Sequence, residues 1–184
     1  MKIIGIGHQK GVGKSTLAKF LVTILRMKNP GAKIGQVSFA DRVKDVSFDI
    51  FGWTGLRKGS YYESNYAEKE IKLPFGLSPR EIWIGVGNKM REIDPTCWVE
   101  ASLFQCDYEI LIVPDVRFGK TEAQKLLDLG ACLVKVHKDM DRGTDPAEVD
   151  MIDWSPWCKH VYNNGSLSEL YAEAEKLSNY LEKN

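Results

Sequence analysis

A segment near the amino terminus combines glycine, lysine and hydroxyl side chains in the spacing of a phosphate-binding loop. It lies between a β-branched run at residues 2–7 and a stretch at residues 15–27 whose apolar side chains recur at helical spacing. In a strand–loop–helix segment of this kind, backbone N–H groups and the helix dipole face an anion. The sequence therefore predicts a site for a nucleoside triphosphate, and the expected binding residues are Gly11, Val12, Gly13, Lys14, Ser15 and Thr16.

Each residue type in this loop has a physical task. Gly11 and Gly13 permit positive φ and a close approach of the backbone to phosphate. The Lys14 ammonium neutralises β- and γ-phosphate charge, and the Ser15 hydroxyl is a candidate ligand for Mg²⁺. A glycine loop that merely turns a strand into a helix is the plainer alternative, and the strand–helix context disfavours it.

One position departs from the usual phosphate-loop pattern. Glycine is expected five residues before Gly13, where this chain has His8, and Gly7 lies one position too early. Histidine adopts the left-handed backbone region at modest cost. We expect His8 to contact nucleotide or solvent rather than to act as a catalytic base.

Strand and helix patterns alternate along the rest of the chain. Strands are predicted at residues 2–7, 33–39, 108–113, 132–137 and 159–162, and helices at 15–27, 41–51, 78–91, 94–104, 120–129 and 166–181. The alternation predicts an α/β fold of the P-loop NTPase type. We expect a doubly wound parallel sheet of about five strands, with helices on both faces and a lid.

Bulk properties exclude several classes of protein. The 25 Lys and Arg residues balance the 25 Asp and Glu residues, so no net field draws the chain onto a nucleic acid polymer. No segment approaches the roughly 20 apolar residues that cross a bilayer, and no secretory signal is present, so we expect a cytoplasmic protein. The four cysteines are widely spaced, which favours reduced thiols.

Four further parts of the sequence indicate which class of nucleotide-binding protein the chain resembles. They read SFADRVK at residues 38–44, SPR at 78–80 with GNKMR at 87–91 and DPTCWV at 94–99, VPDVRF at 113–118, and NNGSLSEL at 163–170. Taken in order with the loop, they resemble the bacteriophage deoxynucleoside monophosphate kinases over nearly the whole chain. The resemblance implies transfer of the ATP γ-phosphoryl group to a deoxynucleoside monophosphate with Mg²⁺, giving ADP and a deoxynucleoside diphosphate. If a phage encodes the chain, the expected cytoplasmic location is the cytoplasm of the host cell.

The resemblance also implies how the chain is divided. We expect one kinase domain over residues 1–184, with an acceptor-binding excursion at about 42–107 and a lid at about 138–158. The lid segment is polar, and its Arg142 is expected to close over ATP as a catalytic arginine. This chain departs from the family at His8, and also at Ser15, where many relatives have an acid. The nucleobase of the acceptor therefore stays open. Whether the chain forms a homodimer also stays open.

Two arginines on one predicted helix are candidates for binding the acceptor phosphate. The resemblance implies that Arg91 binds the monophosphate, with Arg80 next to it, and solvated surface arginines are the alternative. The two lie eleven residues apart, about three helical turns, so a straight helix does not let both hold one phosphate. A bend near residues 85–87 would bring them closer.

Other charged residues follow the predicted strands. Asp41 either caps a helix or orients the acceptor sugar or phosphate, and Lys44, one turn further, is expected to contact that phosphate. Asp115 ends a buried strand, where a carboxylate is costly unless it holds Mg²⁺ or positions the acceptor. Arg117 is expected to contact either the transferred phosphoryl group or the phosphate of the acceptor. Trp98 lies in a family-like segment and is the one tryptophan considered for base stacking as well as for the core.

Two other classes share the loop. A dephospho-coenzyme A kinase is the nearest rival among small-molecule kinases. Partitioning-type ATPases have a similar glycine loop, but their signature lysine corresponds to Gln9 here, and the last residues, 166–184, lack a basic amphipathic character.

Overall fold

Strands and helices alternate in the computed structural model, which describes residues 1–104, 106–139, 150–151 and 153–183. The strands are β1 (Lys2–Gly7), β2 (Ile34–Gln36), β3 (Ile110–Val116), β4 (Cys132–His137) and β5 (Lys159–Tyr162). The α-helices are α1 (Lys14–Lys28), α2 (Phe39–Phe51), α3 (Tyr61–Ser64), α4 (Pro79–Ile93), α5 (Cys97–Leu103), α6 (Gln124–Asp128) and α7 (Leu167–Lys183). Short 3₁₀ turns lie at Gly52–Thr54 and Tyr66–Glu70, and a π-helical turn lies at Gly119–Ala123.

The five strands form one parallel sheet in the order β2-β3-β1-β4-β5. The chain moves from β1 outward to β2, returns to β3 beside β1, and then continues on the other side of β1 through β4 and β5. Ligands of doubly wound sheets bind beyond the carboxyl ends of the strands where this order reverses. The prediction of a doubly wound parallel α/β fold is confirmed, and the reversal lies between β1 and β3.

The contacts within the chain define two compact units, one of Met1–Ser38 with Gln105–Asn184 and one of Phe39–Phe104. The first, called the sheet unit, contains the sheet with α1, α6 and α7. Apolar side chains of α1 and α7 pack on one face of the sheet around Ile4 and Ile6 of β1. On the other face, Gly5 has no room for a side chain because Leu133 and Leu126 of α6 pack there. Helices therefore cover both faces of the sheet, as predicted.

The second unit, called the helical unit, contains α2 to α5. Its small apolar core consists of Leu56, Tyr62 and Ile82, with Trp83 packed edge-on against Tyr62 at a ring-centroid distance of 5.2 Å. Ser78 accepts the N–H of Glu81, whose carboxylate in turn accepts the Ser78 N–H, and this capping box starts α4 where the sequence predicts it. The expectation of one domain with an excursion at residues 42–107 stays a prediction.

Three elements differ from their predicted bounds. β2 is shorter than residues 33–39, and α2 begins at Phe39 rather than at Asp41. β3 continues through Pro114 instead of ending before it, because the pairing with β1 shifts between Gly5 and Gly7. At such a bulge the missing N–H of proline interrupts no regular ladder. The helix predicted at residues 120–129 starts as the π-helical turn. Among the described residues, no helix combines the length and the apolar character that a bilayer span requires.

Candidate functional site

The loop between β1 and α1 makes a sharp turn, and three of its residues have a left-handed backbone conformation. Positive φ occurs at His8 (103°), Gly11 (80°) and Gly13 (97°). The Gly13 carbonyl accepts the N–H of Leu17 at 2.9 Å, so helical hydrogen bonding begins directly behind the loop. The loop therefore opens onto the amino terminus of α1, where orphan N–H groups and the helix dipole favour an anion.

Lys14 folds back over this loop. Its side chain is only 7% exposed, and its Nζ donates to the His8 carbonyl at 2.8 Å and to the Gln9 carbonyl. The carbonyl oxygens accept these hydrogen bonds without carrying a formal charge. The ammonium therefore lies against the loop, where the sequence predicts its contact with phosphate.

His8 occupies the position where glycine is usual, and its backbone has the conformation that glycine would supply. The ring Nδ1 lies 2.9 Å from the Val136 carbonyl of β4. Since a carbonyl only accepts, Nδ1 carries the hydrogen in this contact. This hydrogen bond ties the side chain of the loop's one irregular position to the neighbouring strand.

All three histidines of the chain lie together beside the loop. The His8 and His137 ring centroids are 5.6 Å apart, and His137 Nε2 lies 2.8 Å from His160 Nδ1. The Tyr162 ring stacks on His137 at 4.8 Å. Burial lowers the pKa of His137 below its usual value. Coulombic repulsion from His160, His8 and Lys135 lowers that pKa further.

Sequence reasoning missed two amide side chains at the loop. Gln9 is 5% exposed, and its Nε2 is buried without a hydrogen-bond partner among the described residues. Asn163, the first residue after β5, donates from Nδ2 to the Val12 carbonyl at 2.9 Å. The sequence NNG directly follows the predicted strand at residues 159–162, but no local pattern connects it to a loop 151 residues away.

Asp115 lies at the carboxyl end of β3, next to the reversal of the sheet. Its Oδ2 accepts the Ser38 hydroxyl at 2.9 Å, which fixes the orientation of the carboxylate. The following loop is held by Glu122, which is 2% exposed and accepts the N–H groups of Arg117 at 2.9 Å and Phe118 at 3.3 Å. Asp115 and Arg117 are both half-buried, and both belong to the sheet unit.

In the helical unit, Asp41 and Lys44 form an ion pair of 2.6 Å. Because α2 begins at Phe39, Asp41 lies in the first turn of the helix, and the alternative that it is the cap is wrong. The stem of Lys44 crosses Gly59, where a Cβ atom would lie 2.7 Å from the lysine Cδ. The two residues therefore act together, as an exposed carboxylate with its counter-ion.

Arg80 and Arg91 lie at opposite ends of α4. Arg80 pairs with Glu70 at 2.7 Å, and the Arg91 guanidinium lies beside Gly87. Helical structure runs unbroken through residues 85–87, so eleven residues separate the two arginines by about 16 Å of helix axis. The structure does not bring the two arginines to one phosphate.

Trp98 is buried inside the helical unit. It is 3% exposed, and its Nε1 donates to the Gly87 carbonyl at 3.0 Å. A ring enclosed in this way packs α5 against α4 and presents no face to a base, so base stacking by Trp98 receives no support. Arg142 and most of the expected lid lie outside the described residues.

The expected Mg²⁺ ligands are oxygen donors. The Ser15 hydroxyl is exposed at the start of α1, and the Asp115 carboxylate lies at the end of β3. Among the described residues, no group of three or more His, Cys, Asp or Glu side chains forms a metal cage. Hydroxyl and carboxylate oxygens are hard ligands of the kind that Mg²⁺ prefers.

The parallel sheet and the loop between β1 and α1 define a doubly wound α/β fold of the P-loop type. No family model matches the chain, and no curated protein matches it. A candidate kinase from Chloroflexus aurantiacus has a similar structure, with a TM-score of 0.48 and 13% identity over 99% of this chain and 96% of that one. Shikimate kinase from Aquifex aeolicus has a TM-score of 0.42 and 14% identity, over 99% and 97%. Likenesses this low do not bear on activity.

The histidine cluster predicts a dependence of stability on pH. Because the pKa of His137 is lowered in the folded protein, the unfolded chain binds more protons as the pH falls below about 6.5. The stability that neutral His137 confers is present above that pH and is lost as the pH falls through the lowered pKa. We expect the thermal midpoint to fall between about pH 7.5 and pH 5.5, and to fall less in His137→Phe, which keeps an aromatic ring against Tyr162. Equal slopes in both proteins would contradict this origin.

Proposed function

We propose that the chain is an ATP-dependent phosphotransferase that converts a deoxynucleoside monophosphate to the diphosphate. The observation that carries the proposal is the loop before α1, with positive φ at three residues and the Lys14 ammonium folded over its carbonyls. This combination suits the β- and γ-phosphates of a nucleoside triphosphate. A loop that only reversed the chain would have no need of a nearly buried cation.

The donor half of the reaction is assigned to the sheet unit. Backbone N–H groups of residues 11–16 bind the ATP phosphates, and Lys14 offsets the charge on the transferred group. Ser15 and Asp115 are the residues that would hold Mg²⁺, which would neutralise charge on the ATP phosphates. Arg117 and Arg142 are the arginines assigned to the transferring phosphoryl group.

The acceptor half is assigned to the helical unit. Phosphoryl transfer depends mainly on positioning two anionic substrates, so the acceptor phosphate needs cations of its own. Arg91, which is half-buried on α4, is the principal candidate, and Lys44 with Asp41 is assigned to the acceptor's sugar and phosphate. The choice of a deoxynucleoside monophosphate comes from the sequence resemblance at residues 38–44, 78–80, 87–91, 94–99, 113–118 and 163–170, taken together with the loop.

An acceptor panel tests the proposal directly. Formation of ADP is measured with ATP and Mg²⁺ in the presence of dGMP, dTMP, dCMP or dephospho-coenzyme A, and with no acceptor. Product formation that requires one of the deoxynucleotides supports the proposal. Activity with dephospho-coenzyme A alone would assign the rival kinase, and ADP formation without any acceptor would assign an ATPase.

Removal of the loop cation should abolish transfer. We expect Lys14→Ala to lower kcat/KM for ATP at least about 100-fold, because charge stabilisation of the transferred group is lost. Lys19→Ala is the matched control, since Lys19 lies on the same helix and is exposed. Circular dichroism checks that both variants fold. A folded Lys14→Ala protein with full activity would exclude the phosphate loop from the reaction.

The arginine at the end of α4 should act on the acceptor alone. We expect Arg91→Ala to raise the KM for the accepted monophosphate about 10- to 100-fold, the loss expected for a charge-assisted hydrogen bond, with the KM for ATP nearly unchanged. Lys89→Ala is the control, because Lys89 lies on the same helix in an exposed ion pair with Glu92. An unchanged acceptor KM in Arg91→Ala would remove Arg91 from the acceptor site.

A further inference from the structure

A hydrogen bond links the end of the sheet to the phosphate loop. Asn163 follows β5 directly, and its backbone N–H donates to the His137 carbonyl at 2.8 Å, at the last residue of β4. Its side-chain Nδ2 donates to the Val12 carbonyl at 2.9 Å. The side chain is half-buried, and both of its anchoring elements belong to the sheet unit.

This bond fixes the orientation of one peptide in the loop. In a trans peptide the C=O and the following N–H point in opposite directions. When Asn163 holds the Val12 carbonyl on its own side, the Gly13 N–H must point away from Asn163. The Gly13 carbonyl is already engaged by the N–H of Leu17, so both peptides around Gly13 are held in place.

The same amide packs against the bare Cα of Gly13. With φ at +97°, a side chain at residue 13 would be strained, and its Cβ would overlap Asn163 Nδ2. Glycine at this position therefore serves two purposes, the left-handed backbone and the close approach of the asparagine.

The neighbouring residue, Asn164, makes separate hydrogen bonds that involve neither the Asn163 side chain nor the phosphate loop. Asn164 accepts the Asp139 N–H at 2.8 Å and donates to the Asp139 carboxylate at 2.7 Å, which joins the segments that follow β4 and β5. Ser166 and Glu169 form a reciprocal cap at the start of α7. Asn163 is thus mounted between a strand end and a capped helix, the kind of rigid support that a positioning residue needs.

We propose that Asn163 is a positioning residue of the nucleotide site, which aims the Gly13 N–H at a phosphate oxygen by holding the Val12 carbonyl. The inference rests on the proposed function, and within it on nucleotide binding alone. The ligand class is a nucleoside di- or triphosphate, because backbone N–H groups in such a loop recognise phosphate and not the base.

Calorimetric titration of ADP with Mg²⁺ tests the proposal on the full chain. We expect Asn163→Ala to weaken ADP binding about five- to tenfold, the effect of one lost hydrogen bond with its orientation. Asn164→Ala is the matched control, since it loses two hydrogen bonds in the same segment without touching the loop, and its affinity should stay within about twofold of wild type. The uncharged variant Asn163→Leu, which is similar in size and has no amide donor, gives the same comparison if the alanine variant does not fold.

Amide NMR supplies a readout that a purely structural role would not move. The Gly13 amide proton should shift on addition of ADP to the wild-type protein, and this shift should be markedly smaller in Asn163→Ala. Unchanged affinity and an unchanged Gly13 shift in a folded Asn163 variant would overturn the proposal, as would equal weakening by Asn164→Ala. If wild type itself failed to bind ADP or ATP, the proposed function would fail first, whereas binding that requires Lys14 but not Asn163 would overturn only this inference.

Discussion

The loop between β1 and α1 holds three residues at positive φ, and side chains from distant parts of the chain maintain that backbone. Two of the three are glycines, for which the conformation is cheap, but His8 pays a conformational cost of about 1–3 kcal/mol. Its ring is bound to the Val136 carbonyl, so β4 helps to offset this cost. The side chains of Lys14 and Asn163 donate hydrogen bonds to three carbonyl oxygens of the loop, those of residues 8, 9 and 12.

This constraint extends into the sheet below the loop. Gly7 ends β1 with no room for a side chain, because the Trp157 ring and the Met151 methyl would lie 2.8 Å and 3.1 Å from a Cβ atom. By sequence, Gly7 looks like the loop's missing glycine displaced by one position. Its physical reason is instead the packing of Trp157 against the strand, while the left-handed conformation falls to His8. At this junction, Gly7 provides the space for close packing and His8 provides the positive φ, so two properties of glycine are divided between neighbouring residues.

Local sequence patterns correctly predicted those elements whose bounds depend on neighbouring residues. The bounds of β1, β4 and β5 and the cap of α4 at Ser78 follow from β-branched runs and capping residues, and these predictions are confirmed. The continuation of β3 through Pro114 was not predictable, since it depends on a register shift against β1. Within the site, the loop was found from its own residues. The contacts of His8 and Asn163 join positions 128 and 151 residues apart, and no single-sequence pattern encodes such pairs.

The ion pairs of the helical unit do not argue against a role in binding phosphate. Arg80 with Glu70 and Lys44 with Asp41 are exposed pairs, and such pairs are worth about 0–1 kcal/mol. The small free energy of such an exposed pair is all that a competing phosphate group must overcome. The carboxylate meanwhile keeps each long side chain extended near its helix, which reduces the rotamer entropy lost on binding. For the proposed acceptor site, such a surface ion pair would hold a cation near an anionic substrate without sequestering it.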